Sequence, residues 1–314
     1  MSQLRAYSLA AALAWSWLAL LLLLGLLAPW LPLPYPAGTP DLAQVAAAPS
    51  WHGPAPHYLG TDPLGRDVLA GVVAGARRLL LLSLPAAALA TVAGTAAGGA
   101  AGYWGNRGLR LPLAAALLLV LGGGGALQLP WWLLVLLAAL LAARSRRGRL
   151  PLPLDSTVLS LTALLGAVPR LVLVLALATG PALGNWGLLG LLALLAWPDT
   201  ARLVRTQMLQ VRALPFVEAA QALGLPPARV WARHALPAAC QPLRAQAPLT
   251  LAALIGLENT LAFLGAPAGG GTASWGELLG QLRQDPAAWW LLLGPGTALL
   301  ATLLALQWLA RRPG

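Results

Sequence analysis

The chain has 314 residues, of which 59% are hydrophobic and only 9% charged, and its formal net charge is +11. A soluble domain carries about 25% charged residues, so this chain lacks the polar surface to cover itself in water and its main solvent is lipid. Soluble enzymes, nucleic-acid modules and disordered chains are excluded, and the positive charge reads as membrane-loop bias and not as affinity for phosphate.

A hydrocarbon core of about 30 Å takes roughly 20 apolar residues of helix. Residues 9–30 meet this, with Arg5 ahead of them, and the run is too long for the apolar core of a cleaved leader, so an uncleaved first span is expected. Residues 31–78 are polar, Pro-rich at first and then bearing His52, His57, Asp62, Arg66 and Asp67. Residues 79–103 read as a second span. Its Gly94, Gly98, Gly99 and Gly102 allow close helix approach and place it inside a bundle.

Residues 111–143 are apolar but interrupted by four glycines from Gly122 to Gly125 and by Pro130. Arginines flank them on both sides (Arg107, Arg110; Arg144, Arg146, Arg147, Arg149). If both flanks are cytoplasmic, the stretch must leave and return, as a short two-helix hairpin or a re-entrant loop. Further spans are expected at 158–179 and 184–201. An arginine-bearing segment, 202–244, precedes spans at 246–265 and 288–309. Placing both termini in the cytoplasm puts most arginines inside, leaving Arg66, Arg77, Arg78 and Arg283 outside beside Asp41, Asp62, Asp67, Glu277 and Asp285, as the positive-inside rule requires. The single cysteine, Cys240, excludes an internal disulfide and reads as a small packing residue.

Three stretches carry more than hydropathy. Residues 215–237 read as helix, turn, helix. Pro215 suits a first helical position, and Glu218 lies near the helix's positive end. Ala219, Ala220 and Ala222 make a slim face able to enter a groove on another protein. Gly224 supplies a φ > 0 stop, and Pro226 and Pro227 restart a helix that ends at Leu236-Pro237. In the second stretch, residues 59–69, Asp62 would cap a helix starting at Pro63. Leu64, Val68, Leu69, Val72 and Val73 would then form a stripe suited to a membrane or partner surface. The third is Leu261-Ala262-Phe263-Leu264-Gly265, followed by Ser274-Trp275-Gly276.

In this order the three stretches resemble the C-type permease subunits of the peptide/nickel ABC-importer family. Glu218, Ala219, Ala220, Gly224, Leu236 and Pro237 are similar to its EAA coupling loop, which docks on an ATPase subunit. Gly60, Thr61, Asp62, Gly65, Arg66 and Asp67 are similar to its periplasmic signature, and the third stretch to the outer loop before its last helix. The resemblance implies an all-α integral membrane protein, a type I ABC-importer permease bundle of six core transmembrane helices in the inner membrane. It divides the chain into an N-terminal transmembrane helix (1–30), a periplasmic segment with the signature (31–78) and a permease domain (79–314) with the coupling loop at 215–237. The chain departs from the family by an insertion of about 106–153, which adds the apolar hairpin, and by Ala238 where Asn is common after Leu-Pro.

The resemblance also implies the partners: a second homologous permease subunit, two ABC ATPase subunits, an extracytoplasmic substrate-binding protein and membrane lipid, with no nucleic acid. This chain would bind no cofactor or metal, ATP and Mg being used by the ATPases. The cargo implied is a di- or oligopeptide, with nickel or another metal chelate as the alternative.

Two rivals fit less well. A membrane-embedded enzyme needs a metal triad, an aspartate pair or a Ser–His arrangement. Here the three histidines are divided between the two aqueous sides, and no phosphate-binding loop exists without lysine. A channel or secondary transporter often carries charge within its spans, and Arg170, Glu258 and Asn259 qualify as polar residues of a translocation path. Arg170 faces a cavity or partner, or else sits shallow and snorkels; neither rival explains residues 215–237. His52 and His57 could bind nickel but read as solvated loop residues.

Overall fold

The computed structural model describes residues 2–52, 56–106, 110–112, 149–151, 153–178, 184–265 and 273–311. They are mostly helical: α1 (Ser2–Leu27), α2 (Val68–Arg78), α3 (Leu84–Trp104), α4 (Leu154–Ala167), α5 (Arg170–Ala178), α6 (Asn185–Val211), α7 (Pro215–Ala222), α8 (Pro227–Val230), α9 (Leu236–Ala239), α10 (Leu243–Phe263), α11 (Trp275–Gln281) and α12 (Trp290–Ala310). Among the described residues, four helices are long and apolar enough to cross a membrane: Ala10–Leu27, the continuous run Val68–Trp104, Asn185–Val211 and Trp290–Ala310. The spans expected at 158–179 and 246–265 take other forms. Pro169, whose ring disfavours helix in the residue before it, divides the first into α4 and α5. The second, α10, is helical throughout but carries Arg244, Gln246, Glu258 and Asn259.

Two wide π-turns have one cause. Leu79–Ser83 joins α2 to α3 and Trp231–Ala235 joins α8 to α9, and each immediately precedes a Leu-Pro pair, Leu84-Pro85 and Leu236-Pro237. Proline lacks the N–H of the i→i−4 bond and its ring presses on that carbonyl. A turn widened by one residue absorbs both defects, so the helix continues past Pro237 to Ala239 instead of ending there.

The chain forms two compact units. One comprises residues 1–93, 165–200 and 241–314. Here α1, α2, α10, α11 and α12 pack together, with Leu21 of α1 against Ala76, Trp275 and Ala298. Leu82, Ala86 and Ala90 pack on Leu188, Leu192 and Leu254. The opposite side of α1 leaves Leu13, Leu20, Leu23 and Leu26 exposed, the surface a lipid-facing helix presents.

The other unit comprises residues 94–164 and 201–240. Its contacts show why the second span is rich in glycine. A Cβ on Gly98 would run into the carbonyl oxygen of Ala201, and one on Gly102 would lie 2.7 Å from Met208 Cβ. Backbones meet where no larger residue fits. Gly98→Val is therefore expected to destabilise the detergent-purified protein by about 1–3 kcal/mol, read as a lowered unfolding midpoint. A midpoint equal to wild type would show that this crossing is loose.

One short ribbon accompanies the helices among the described residues. Arg110–Pro112 and Arg149–Pro151 pair as a small antiparallel ribbon, Leu111 opposite Leu150. Both segments read Arg-Leu-Pro, and a residue before proline is pushed to extended backbone. Asn106 reinforces the closure: its Oδ1 accepts from Ser156 N at 2.9 Å and its Nδ2 donates to Ser156 Oγ at 2.8 Å. The feet of the insertion are thus clasped together. The hairpin expected between them, at 113–148, lies outside the described residues.

Candidate functional site

The segment expected to carry coupling is built as a packed helix-turn-helix. Pro215 opens α7 after an extended Leu214. Val217 and Ala220 turn inward onto Met208, Val211, Val230, Ala235 and Ala239. Ala220 is therefore part of the core and not of the slim outer face, which is left to Ala219 and Ala222 beside Leu214, Phe216 and Leu223. Leu223 is 81% exposed, high for a leucine in a well-packed turn. Gly224 has φ +77° and donates to Gln221 O at 2.9 Å, ending α7. A Cβ there would touch nothing within 4 Å, so the requirement for glycine lies in the dihedral alone. Glu218 is solvent-exposed in the first turn. Leu236 and Pro237 lie in α9, with Trp231 ahead of them stacked obliquely on Trp104 at 5.1 Å. Burial pushes the Cys240 thiol up, which suits a packing residue.

The stretch at 59–69 is a clasp. Gly60 and Gly65 both have φ +77°, and a Cβ on Gly60 would lie 2.6 Å from Ala47 O. Buried Thr61 donates through Oγ1 to Gln44 O at 2.6 Å and accepts from Ala47 N at 2.8 Å, while its carbonyl accepts from Trp290 Nε1 at 2.9 Å. Asp62 does not cap a helix at Pro63. Its Oδ1 accepts from Leu64 N and Arg66 N at 2.9 and 2.8 Å, closing a tight turn. Burial raises its carboxyl above the usual range, against those two N–H bonds. The helix cap is Asp67, whose Oδ2 accepts from Ala70 N at 2.8 Å. With the start of the helix moved to Val68, the expected surface stripe divides: Val68 is buried against Ala288, Trp290 and Leu291 and Val73 is buried too, Leu69 and Val72 are half-buried, and Leu64 stays exposed. Arg66 reaches Glu277 Oε1 at 2.8 Å, tying the clasp to α11.

His57 is the residue that sequence reasoning misplaced. His52 is exposed, but His57 is fully buried, stacked on Tyr35 at 4.1 Å. Its Nδ1 hydrogen-bonds Asp67 Oδ1 at 2.8 Å and its Nε2 lies 3.6 Å from Asp41 Oδ2. Its two carboxylate partners lie ten and sixteen residues away in sequence and meet one ring only in the folded clasp.

The three polar residues expected along a path separate into two places. Glu258 Oε1 accepts from Arg78 Nε at 2.6 Å, and both side chains are about 5% exposed. Asn259 donates to Glu258 Oε2 at 3.1 Å and to Ile255 O at 2.9 Å, and its Oδ1 accepts from Gly276 N at 2.7 Å. This network locks α2, α10 and α11 together. Arg170 lies apart, donating through Nη2 to Asp199 Oδ2 at 2.5 Å on the wall of a cavity of about 450 Å³. Asp155 holds Arg205 in a two-pronged pair whose Nη2–Oδ2 distance is 2.8 Å.

Helices long and apolar enough to cross a membrane, joined to an exposed helix-turn-helix and a braced clasp, describe a multi-pass membrane protein. Residues 135–312, more than half of the chain, match the family described as binding-protein-dependent transport system inner membrane component, and the chain belongs to that family. It is 29% identical to a protein of Brucella suis named as a peptide permease, over 88% of this chain and 76% of that one. It is 28% identical to the D,D-dipeptide transport system permease protein DdpC of Escherichia coli (91% and 79%) and 26% identical to the oligopeptide transport system permease protein OppC of Haemophilus influenzae (93% and 78%). The chain is a multi-pass inner-membrane permease subunit of an ABC import system.

Proposed function

We propose that this chain carries di- or oligopeptides as one of two homologous permease subunits, moving them by alternating access driven by two partner ATPases. The observation that carries the reading is the 215–237 element. Its inner face is fixed by a packed core while Phe216, Ala219, Ala222 and Leu223 stand exposed, as a coupling surface must be. Glu218, Ala219, Gly224 and the Leu236-Pro237 end form this docking element, with Ala220 bracing it from within. ATP and Mg act on the partner subunits. The names of the relatives support a peptide cargo, which an extracytoplasmic binding protein would deliver to the outer loops beside the clasp of Gly60, Thr61, Asp62, Gly65, Arg66 and Asp67. Along the path, Arg170 lines the open wall, and Glu258 and Asn259 set the helices that frame it.

The proposed topology has six core spans plus the inserted hairpin, with both termini cytoplasmic. Single cysteines at positions 55 and 272 should then label from outside, and those at 108, 147 and 221 only from inside. In vesicles holding the full complex and its binding protein, a labelled dipeptide should accumulate with ATP, and a cysteine at 223 should cross-link to the ATPase. Outside labelling at 221, or accumulation without ATP, would overturn the reading.

A further inference from the structure

Among the Arg–carboxylate pairs of the compact unit that contains α5, α10 and residues 185–200 of α6, two are of opposite character. Arg78–Glu258 is buried on both sides, and its Glu258 is held by Asn259 as well. Opening it would strand two charges in a medium that cannot solvate them. Arg170–Asp199 is 40% and 34% exposed and faces the cavity of about 450 Å³, which Leu195, Gln246, Leu249, Thr250 and Leu257 also line. A half-exposed pair is worth little when closed, so its two members can exchange partners at small cost.

The cavity falls within the roughly 300–1,000 Å³ range of small-molecule sites, and its make-up matches theirs: apolar walls with a few convergent polar groups. Its polar groups are one cation, one anion, an amide and a hydroxyl. A short peptide is the complementary solute, with a carboxylate at one end, an ammonium at the other and amides between. Arg170 uses Nη2 toward Asp199, and a guanidinium offers five N–H donors in a fork that fits a carboxylate.

Resting on the peptide-permease reading, we infer that this cavity is a peptide-terminus site, in which Arg170 takes the α-carboxylate and Asp199 the α-ammonium of a short peptide. The termini of a dipeptide lie roughly 7 Å apart, farther than the 2.5 Å of the pair. Occupancy therefore parts Arg170 from Asp199 and gives each of them one charged end of the peptide. Leu195, Leu249 and Leu257 receive the side chains, which accept varied sequences because apolar contact is not directional. Gln246 is placed to bond the peptide amide. Recognition of both ends with tolerance between them gives a site selective for free termini and permissive for composition.

The test uses the full complex, both permeases and both ATPases, in nanodiscs without the binding protein. The probe is alanyl-benzoylphenylalanine, a photoreactive dipeptide, and labelled sites are mapped by mass spectrometry. Label is expected on cavity residues of α6 or α10. Unlabelled Ala-Phe should compete, and its N-acetyl and C-amide forms should each compete at least about tenfold less well, since each loses a charged hydrogen-bond pair. Arg170→Gln should erase the penalty for amidation only, and Asp199→Asn the penalty for acetylation only. The paired exchange Arg170→Asp with Asp199→Arg keeps a pair and serves as the folding control; it should weaken free dipeptide. Label confined outside the cavity, equal competition by blocked and free peptides, or equal loss of both penalties in either variant would overturn the site while leaving the peptide reading intact. Absence of labelling for every peptide form, together with absence of ATP-driven uptake in vesicles that hold the same complex with its binding protein and hydrolyse ATP, would overturn the peptide reading itself.

Discussion

Glu258→Ala is expected to destabilise the permease by about 3–5 kcal/mol, because it leaves the buried Arg78 guanidinium without its carboxylate. The Arg78 Nε–Glu258 Oε1 distance is 2.6 Å and neither side chain reaches solvent, so water cannot replace the lost partner. The loss should spread: Asn259 gives up its bond to Glu258 Oε2, and Asn259 is also what receives the Gly276 N–H. Unfolding in mixed detergent should show the loss as an earlier midpoint. Removing both charges, Arg78→Leu with Glu258→Leu, should recover most of it, since a buried pair replaced by apolar side chains is often neutral or stabilising. A loss below about 1 kcal/mol for the single substitution would mean that water enters this part of the bundle.

Most spans were legible because lipid imposes one rule along a whole segment: about 20 apolar residues make a crossing. The glycine face of the second span was legible too, since small residues have few other uses in such a helix, and Gly98 and Gly102 do carry the backbone approaches to Ala201 and Met208. Harder to see were decisions between equivalent local options. Asp62 and Asp67 are both able to cap a helix; the turn at Gly65, pinned where a side chain would strike Asp41 O, gives the cap to Asp67. Ala219 and Ala220 are alike in sequence, and only packing against Val217 and Met208 sends Ala220 inward.

Charge was the least legible property. Arg170, Asp155, Asp199 and Glu258 all found partners far along the chain, and hydropathy carries no information about such pairs. His57 failed for the same reason: Asp67 and Asp41 are ten and sixteen residues away, and only the folded clasp brings both carboxylates to one ring. The π-turns, by contrast, had a sequence signal that went unread. A Leu-Pro pair inside a continuing helix must put the missing N–H somewhere, and both pairs put it in the turn before.

Gly224→Val is expected to uncouple ATP hydrolysis from uptake while leaving the permease inserted. The position has φ +77°, where a residue with a Cβ is disfavoured by roughly 1–2 kcal/mol, and a β-branched one is stiffer still. No atom lies within 4 Å of a Cβ built there, so the substitution creates no clash and α7 keeps its packing through Val217 and Ala220. The strain instead falls on the turn. The Gly224 N–H to Gln221 O bond opens, and Pro226, which caps the next helix, is displaced relative to Phe216 and Leu223. The fraction of loops with the docking geometry should fall about tenfold, and ATP-driven uptake with it. Membrane content and assembled complex should stay near wild type. Gly224→Asn separates dihedral strain from any other effect of adding a side chain, because asparagine tolerates this backbone region; it should retain most of the uptake. Equal failure of the Val and Asn variants would place the need for glycine at the surface of the docked ATPase and not in the turn.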